Sequence, residues 1–172
     1  VVTVVSGPVA VEYPGAATVI RVITTEDMLA ATLAEFAHAE ILVAAAAPCD
    51  FRPRERSEQK IKKSDRGLEL HLLPTPDILE TVAANKGPRF VVGFALETHD
   101  PHANALGKLR RKHCDLMVLN SPAAIHAERS RFEILDSAGN TILTVEDSKT
   151  NFAQRFWEIV EDRFRGRLPA HG

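Results

Sequence analysis

Asp50 and Lys60 stand ten residues apart, and the segment they bound could serve a polyphosphate. Six cations, Arg52, Arg54, Arg56, Lys60, Lys62 and Lys63, follow Asp50 and Phe51 within a polar stretch. Basic side chains on a loop suit phosphate oxygens, because charge-assisted hydrogen bonds are the strong ones. Ahead of them, Ile41 to Ala47 is a continuous apolar run ending in four small residues, Ala44 to Ala47, before Pro48. Small residues at a strand end let a bulky ligand approach the backbone. Composition alone also fits a solvated charged loop after an ordinary core strand. Further along, Pro76 to Leu79 (Pro76, Asp77, Ile78, Leu79) opens a helix whose free amides could hold an anion or a base edge. Lys108 and Lys112, four apart, would share one helix face and could meet successive phosphates, or form a solvated face. Ser6-Gly7, Phe94 with Glu97, and Asn120 fall at expected strand ends, where open α/β sheets bind ligands. His99, Asp100 and His102 look superficially like metal ligands but lack a third group at fitting spacing, and read as loop. Cys49 reads as a small thiol at a strand end, and Trp157 as core.

The elements that must position these groups follow from apolar patterning. Val1 to Val5 reads as a strand broken by Ser6-Gly7-Pro8, and Ala17 to Val22 as a second. A domain opening in mid-strand leads us to expect that an N-terminal portion is missing. Thr24 or Thr25 caps a helix with Met28, Leu29, Leu33 and Phe36 on one face. The run 41–47 reads as a strand buried on both faces, completing a βαβ unit. Residues 48–66 hold too few apolar positions for a core element. Leu68, Leu70 and Leu72 alternate with polar residues and predict a strand with one buried face. Thr75 as N-cap and Pro76 at the first position start a short helix ending near Gly87. FVVGFA at 90–95 and DLMVL at 115–119 predict buried strands, with a helix between them from about Pro101 to His113. Residues 131–135 and 141–145 flank a hairpin turn, and a last helix, roughly 151–164, buries Phe152, Phe156, Ile159, Val160 and Phe164. The fold class expected is α/β: a doubly wound, mostly parallel, Rossmann-like sheet with helices on both faces and an antiparallel hairpin near the C-terminus.

Length and composition narrow the function classes. At 172 residues the chain reads as one domain with a real core. A formal net charge of −2 gives no general pull toward nucleic acid or acidic membranes, so a cationic site must be local. No apolar run reaches the length of a bilayer span. Cys49 and Cys114 sit in no CxxC or zinc spacing, which favours a reducing cytoplasm. GxGxxG and GxxxxGK[ST] are both absent, so neither standard phosphate cradle applies.

In order, VVTVVSGPV at 1–9, Ala45 to Pro53 ending in DFRP, QKIKK at 59–63, LLPTPDIL at 72–79, VVGFALET at 91–98 and KLRRKHCDLMVLN at 108–120 resemble the phosphopantothenoylcysteine synthetases of coenzyme A biosynthesis. The likeness covers most of the chain. It implies a CTP-dependent ligase that joins 4′-phosphopantothenate to cysteine through an acyl-cytidylate, releasing pyrophosphate and then CMP. By the same resemblance Lys60 is the catalytic residue, on a flap closing over the intermediate. Asp50 would meet the nucleotide or its Mg2+. Ala44, Ala45, Ala46, Pro76, Asp77, Ile78, Leu79 and Phe94 would shape the nucleotide pocket, with Lys108 and Lys112 on its phosphates. Ser6, Gly7 and Asn120 are further phosphate or substrate contacts.

The resemblance further implies a cytoplasmic homodimer, with a flavin-dependent decarboxylase fused or associated and no flavin in this segment. Neither nucleic acid nor membrane is expected as a partner. Three departures stand out. Nothing before Val1 supplies the family's first strand and glycine- and serine-rich turn; Pro48-Cys49 replaces a small apolar pair; and SPAAIHAERSRF follows Asn120 where the family differs. A non-catalytic nucleotide-binding or dimerisation module of the same fold is the alternative, and a nicotinamide oxidoreductase suffers from the missing glycine fingerprint.

Overall fold

The computed structural model describes residues 1–63, 67–96, 100–120 and 128–167. The chain divides into two compact units, Val1–Ala37 with Ala46–Val82, and His38–Ala45 with Ala83–Gly172.

In the first unit, β1 (Thr3–Ser6) and β2 (Thr18–Arg21) pair in parallel, Thr3 opposite Thr18 and Ser6 opposite Arg21. Helix α1 (Thr25–Phe36) starts at Thr24, whose hydroxyl accepts from Asp27 N–H at 3.0 Å while the Asp27 carboxylate accepts from Thr24 N–H at 3.3 Å. This reciprocal cap satisfies two otherwise orphan donors. The helix buries Thr32 and Phe36; Leu33, expected on the core face, is exposed. The segment expected to be all loop contains a short strand, β4 (Phe51–Pro53), antiparallel to β5 (Leu72–Pro74). Leu68, Leu70 and Leu72 do not bury a face: they are 64%, 60% and 52% exposed. Leu72 opens a ribbon of two strands, and Leu68 and Leu70 precede it outside any strand, so the strand expected over 68–72 is not formed. Helix α2 (Ile78–Ala83) buries Leu79 and Val82.

The second unit carries a five-stranded sheet in the order β3-β6-β7-β8-β9. Its strands are β3 (Ile41–Ala44), β6 (Phe90–Leu96), β7 (Leu116–Asn120), β8 (Arg129–Asp136) and β9 (Thr141–Ser148). β3, β6 and β7 are parallel, and the β8–β9 hairpin adds antiparallel strands beyond β7. β3 is shorter than the apolar run predicts and is half-buried, because among the described residues it pairs only with β6 and forms the sheet's edge. Alternation divides the central strands between two faces. Phe90, Val92, Leu116, Val118, Phe132 and Ile134 pack with Phe152, Phe156 and Val160 of α4 (Lys149–Arg165). Phe132 and Phe152 stack with centroids 4.0 Å apart. Val91, Ala95, Met117, Leu119 and Leu135 are buried on the other face, and α3 (Pro101–Arg111) buries Ala105 and Leu109. The fold is therefore mixed α/β with a mostly parallel arrangement and an antiparallel part, as expected. Trp157 is not core: it is 44% exposed, one residue round from the Phe152–Phe156–Val160 stripe. No helix among the described residues is long and apolar enough to cross a membrane.

Two stability predictions follow from the hairpin and the start of α4. Gly139 has φ +91°, and an added Cβ would lie 2.6 Å from Leu106 Cδ1. Gly139→Ala is expected to cost about 1–3 kcal/mol in chemical denaturation. Gly87→Ala, with φ +57° but open space, should lose less. Asp147, which accepts from the Asn151 amide at 2.9 Å and from Ser148 N–H at 2.8 Å, has its pKa lowered by those bonds. Burial opposes ionisation of Asp136, yet hydrogen bonds from Asn140 and Ala138 outweigh it and its pKa is also lowered. A pKa depressed in the native state stabilises above the ordinary value of 3.8, and that stability is lost as pH falls through the native value. Asp147→Asn is thus expected to lower the thermal midpoint at neutral pH and to converge on the parent as the solution is acidified toward pH ~3, followed by circular dichroism.

Candidate active site

The first unit fixes the root of the cationic segment by one residue, Thr75. Its N–H donates to the Asp50 carbonyl at 2.9 Å, and its hydroxyl donates to the Cys49 carbonyl at 2.5 Å. Asp50, exposed, is thereby held beside the chain entering α2. Thr75 is not the N-cap that the sequence suggests. Asp77 caps instead, accepting from Glu80 N–H at 3.0 Å with its carboxylate and from Thr81 N–H at 3.0 Å with its carbonyl. A carboxylate at this end of a helix is favourable to the helix dipole. Pro76 and Ile78 flank it, and Leu79 is buried.

Arg52 leaves the cationic group. Its Nε donates to Glu26 Oε1 at 2.7 Å, linking β4 to the first turn of α1. Arg54, Arg56, Lys60, Lys62 and Lys63 are exposed and make no ion pair among the described residues. The catalytic candidate Lys60 therefore has no partner carboxylate among the described residues. Ala46 also belongs to this unit, as do Ser6 and Gly7 at the carboxyl end of β1.

The second unit holds the remaining candidates. Ala44 ends β3 opposite Gly93, Ala45 follows it, and Asn120 ends β7 opposite Leu96. These positions lie at the carboxyl ends of the parallel strands, as expected. The Phe94 ring is 5.9 Å from that of Phe156, so the ring also packs against α4. Lys108 and Lys112 are one turn apart and half-buried, joined by the Lys112 N–H to Lys108 carbonyl bond of 2.9 Å. Glu97, Thr98 and His99 lie outside the described residues, as do residues 121–127 of the stretch that departs from the family pattern. His102 Nε2 is 3.1 Å from Thr141 Oγ1.

Among the described residues no three His, Cys, Asp or Glu side chains gather as a metal-binding group. Asp50 offers one exposed carboxylate, which fits Mg2+, an ion usually bound by one or two carboxylates plus substrate phosphates and water. Sequence reasoning missed Thr75 as the clamp and Arg52 as an ion-pair partner. The DFRP spelling carried Arg52, but only folding reveals Glu26 beside it.

The chain is 32% identical over 164 residues to the coenzyme A biosynthesis bifunctional protein CoaBC of Haemophilus influenzae, covering 93% of this chain and 41% of that protein. It is 38% identical over 145 residues to a cysteine/cysteine sulfinic acid decarboxylase of an unknown prokaryotic organism, covering 81% of this chain and 40% of that one. It spans about two fifths of the length of these curated relatives. Among solved structures, the C-terminal domain of CoaBC superposes with a TM-score of 0.80 at 24% identity, over 95% of this chain and 74% of that one. A Cab2 variant in complex with phosphopantothenate-cysteine gives a TM-score of 0.73 at 17% identity, over 88% of this chain and 54% of that one. At these identities the structural likeness speaks to fold. The family model described as the DNA/pantothenate metabolism flavoprotein C-terminal domain matches residues 1–164, and the chain belongs to that family.

Proposed function

We propose that this chain carries the ligase that joins 4′-phosphopantothenate to cysteine at the expense of CTP. The observation that carries the reading is the segment from Arg54 to Lys63, rooted at Asp50 beside the start of α2, in which five exposed cations outnumber Glu55 and Glu58 and form no ion pair among the described residues. A carboxylate oxygen of 4′-phosphopantothenate attacks the α-phosphorus of CTP; the bond to the bridging oxygen breaks, and pyrophosphate leaves. The cysteine amine then attacks the acyl carbon of the resulting acyl-cytidylate, expelling CMP. Negative charge grows on the departing pyrophosphate, and Lys60 is the group that meets it. Arg54, Arg56, Lys62 and Lys63 raise the local potential that draws in the triphosphate. Closure of the segment over the mixed anhydride keeps water from hydrolysing it. When bound, Mg2+ would neutralise phosphate charge, with Asp50 as its protein ligand. By the family resemblance, Ala46 and Pro76 to Leu79 of the first unit, and Ala44, Ala45, Phe94, Lys108 and Lys112 of the second, are the nucleotide contacts we propose to test. The family membership, the name of the Haemophilus influenzae relative and the ligand of the Cab2 complex support this reading. The word bifunctional in that relative's name is in keeping with a fused or associated flavin-dependent decarboxylase.

With CTP, both acid and amine substrates and Mg2+ present, Lys60→Gln is expected to cut CMP formation about 100-fold or more while leaving circular dichroism unchanged. Undiminished CMP release by that variant would overturn the role of Lys60. The second reading is a non-catalytic nucleotide-binding or dimerisation module of the same fold. CTP binding with no CMP released by the parent chain would select it.

We further propose that the active form is a homodimer seated on the β4–β5 ribbon. Phe51, Leu72 and Leu73 on the ribbon and Leu68 and Leu70 in the segment leading into it are all exposed, and a two-stranded ribbon is marginal alone. Contiguous exposed apolar surface marks an interface. Light scattering should give twice the chain mass, and Leu70→Glu with Leu72→Glu should yield a folded monomer. A parent chain that is monomeric at micromolar concentration would exclude the dimer.

A further inference from the structure

Ser6 and Arg21 are register partners in the last rung of the β1–β2 ladder, so both side chains leave one face at the strands' carboxyl ends. Ser6 is only 4% exposed. Its hydroxyl donates to the Gly7 carbonyl at 2.8 Å, which leaves the oxygen to accept from the Tyr13 hydroxyl at 2.9 Å and from Arg21 Nη1 at 3.4 Å. The Arg21 guanidinium carbon also lies 5.3 Å from the centroid of the Tyr13 ring. Arg21 is thus held at one nitrogen and along one face.

Its charge is nevertheless unanswered. Arg21 makes no ion pair among the described residues, although Glu12 adjoins Tyr13 in the sequence. The guanidinium is exposed, cannot deprotonate, and keeps the other donors of its fork for a ligand. Packing alone would explain an arginine stacked on a tyrosine. It does not explain a buried serine that orients the same guanidinium at the end of a parallel strand pair, where ligands of such sheets bind. A guanidinium tethered at one nitrogen, with the rest of its fork open, matches the oxygens of a phosphate.

We infer that Arg21, positioned by Ser6 and Tyr13, forms a phosphate-binding site. The identity of the ligand rests on the ligase reading: its phosphate comes from 4′-phosphopantothenate or from CTP. The site itself requires no turnover, so it can fail or stand apart from that reading.

Tyr13 is the only tyrosine of the chain, and its ring signals in an NMR spectrum of tyrosine-labelled protein report on the site directly. Inorganic phosphate, titrated at constant ionic strength, should shift those signals saturably, whereas chloride should not. Arg21→Gln should raise the phosphate Kd about tenfold or more, equivalent to ~1.4 kcal/mol, and Arg21→Lys should fall between the two. Arg165→Gln, at the end of α4 where Arg165 pairs with Glu161, should leave the titration unchanged. Silent Tyr13 signals, or an unaltered Kd in either arginine variant, would overturn the site. In the second arm, a response to 4′-phosphopantothenate but not to pantothenate assigns the phosphomonoester, and a response to CTP alone assigns the nucleotide. If both phosphorylated substrates leave Tyr13 unmoved while inorganic phosphate binds, the substrate assignment falls.

Discussion

The second unit is built on a buried carboxylate. Asp115, 5% exposed, sits one residue before β7 and accepts from Val91 N–H at 2.7 Å, from Arg167 Nη1 at 2.8 Å and from Lys86 Nζ. Its own N–H returns a bond of 2.8 Å to the Val91 carbonyl. Four pieces of chain thus meet at one side chain: the turn before β6, β6 itself, the start of β7 and the end of α4. Arg167 also lies over the Phe90 ring at 4.7 Å, covering the apolar entrance to β6. A buried charge is tolerated only when paired and hydrogen-bonded, and here both oxygens are engaged. The two cations on one carboxylate fix where α4 ends, and hence how Phe152, Phe156 and Val160 lie across the sheet.

The antiparallel hairpin has a role in the same geometry. β8 runs back from the rim where β6 and β7 finish, and β9 returns to it. Helix α4 therefore begins at that rim, capped by Ser148, and descends toward Asp115. Its amino end, with partial positive charge, stands on the side of the sheet where the strand-end candidates Ala44 and Asn120 lie.

Much of this unit was legible in the sequence because its strands are nearly continuous apolar runs and α4 repeats phenylalanine at helical spacing. What failed was reasoning about partners. Alternation at Leu68, Leu70 and Leu72 signals a strand face but not the layer that would cover it, and all three side chains are exposed. Trp157 carries large apolar area, yet one residue is 100° around a helix, enough to move it off the stripe set by Phe156. Thr75 and Asp77 both suit a helix cap, and only the position of the Cys49 carbonyl decides which serves the helix. The strand-end positions of Ala44 and Asn120 were legible from the apolar runs that lead into them, whereas Asp50 and Lys60 are candidates by motif. The pairing of Arg52 with Glu26, and the cradle of Ser6 and Tyr13 around Arg21, depend on approaches that no local pattern encodes.

Asp115 and Asn120 occupy opposite ends of one strand, five residues and roughly 16 Å apart. The end of β6 and β7 that anchors the unit is therefore separate from the end that carries the strand-end candidates. A side chain exchanged at the rim lies about five residues' rise from the carboxylate that holds the unit together, so it can change there without loosening that end.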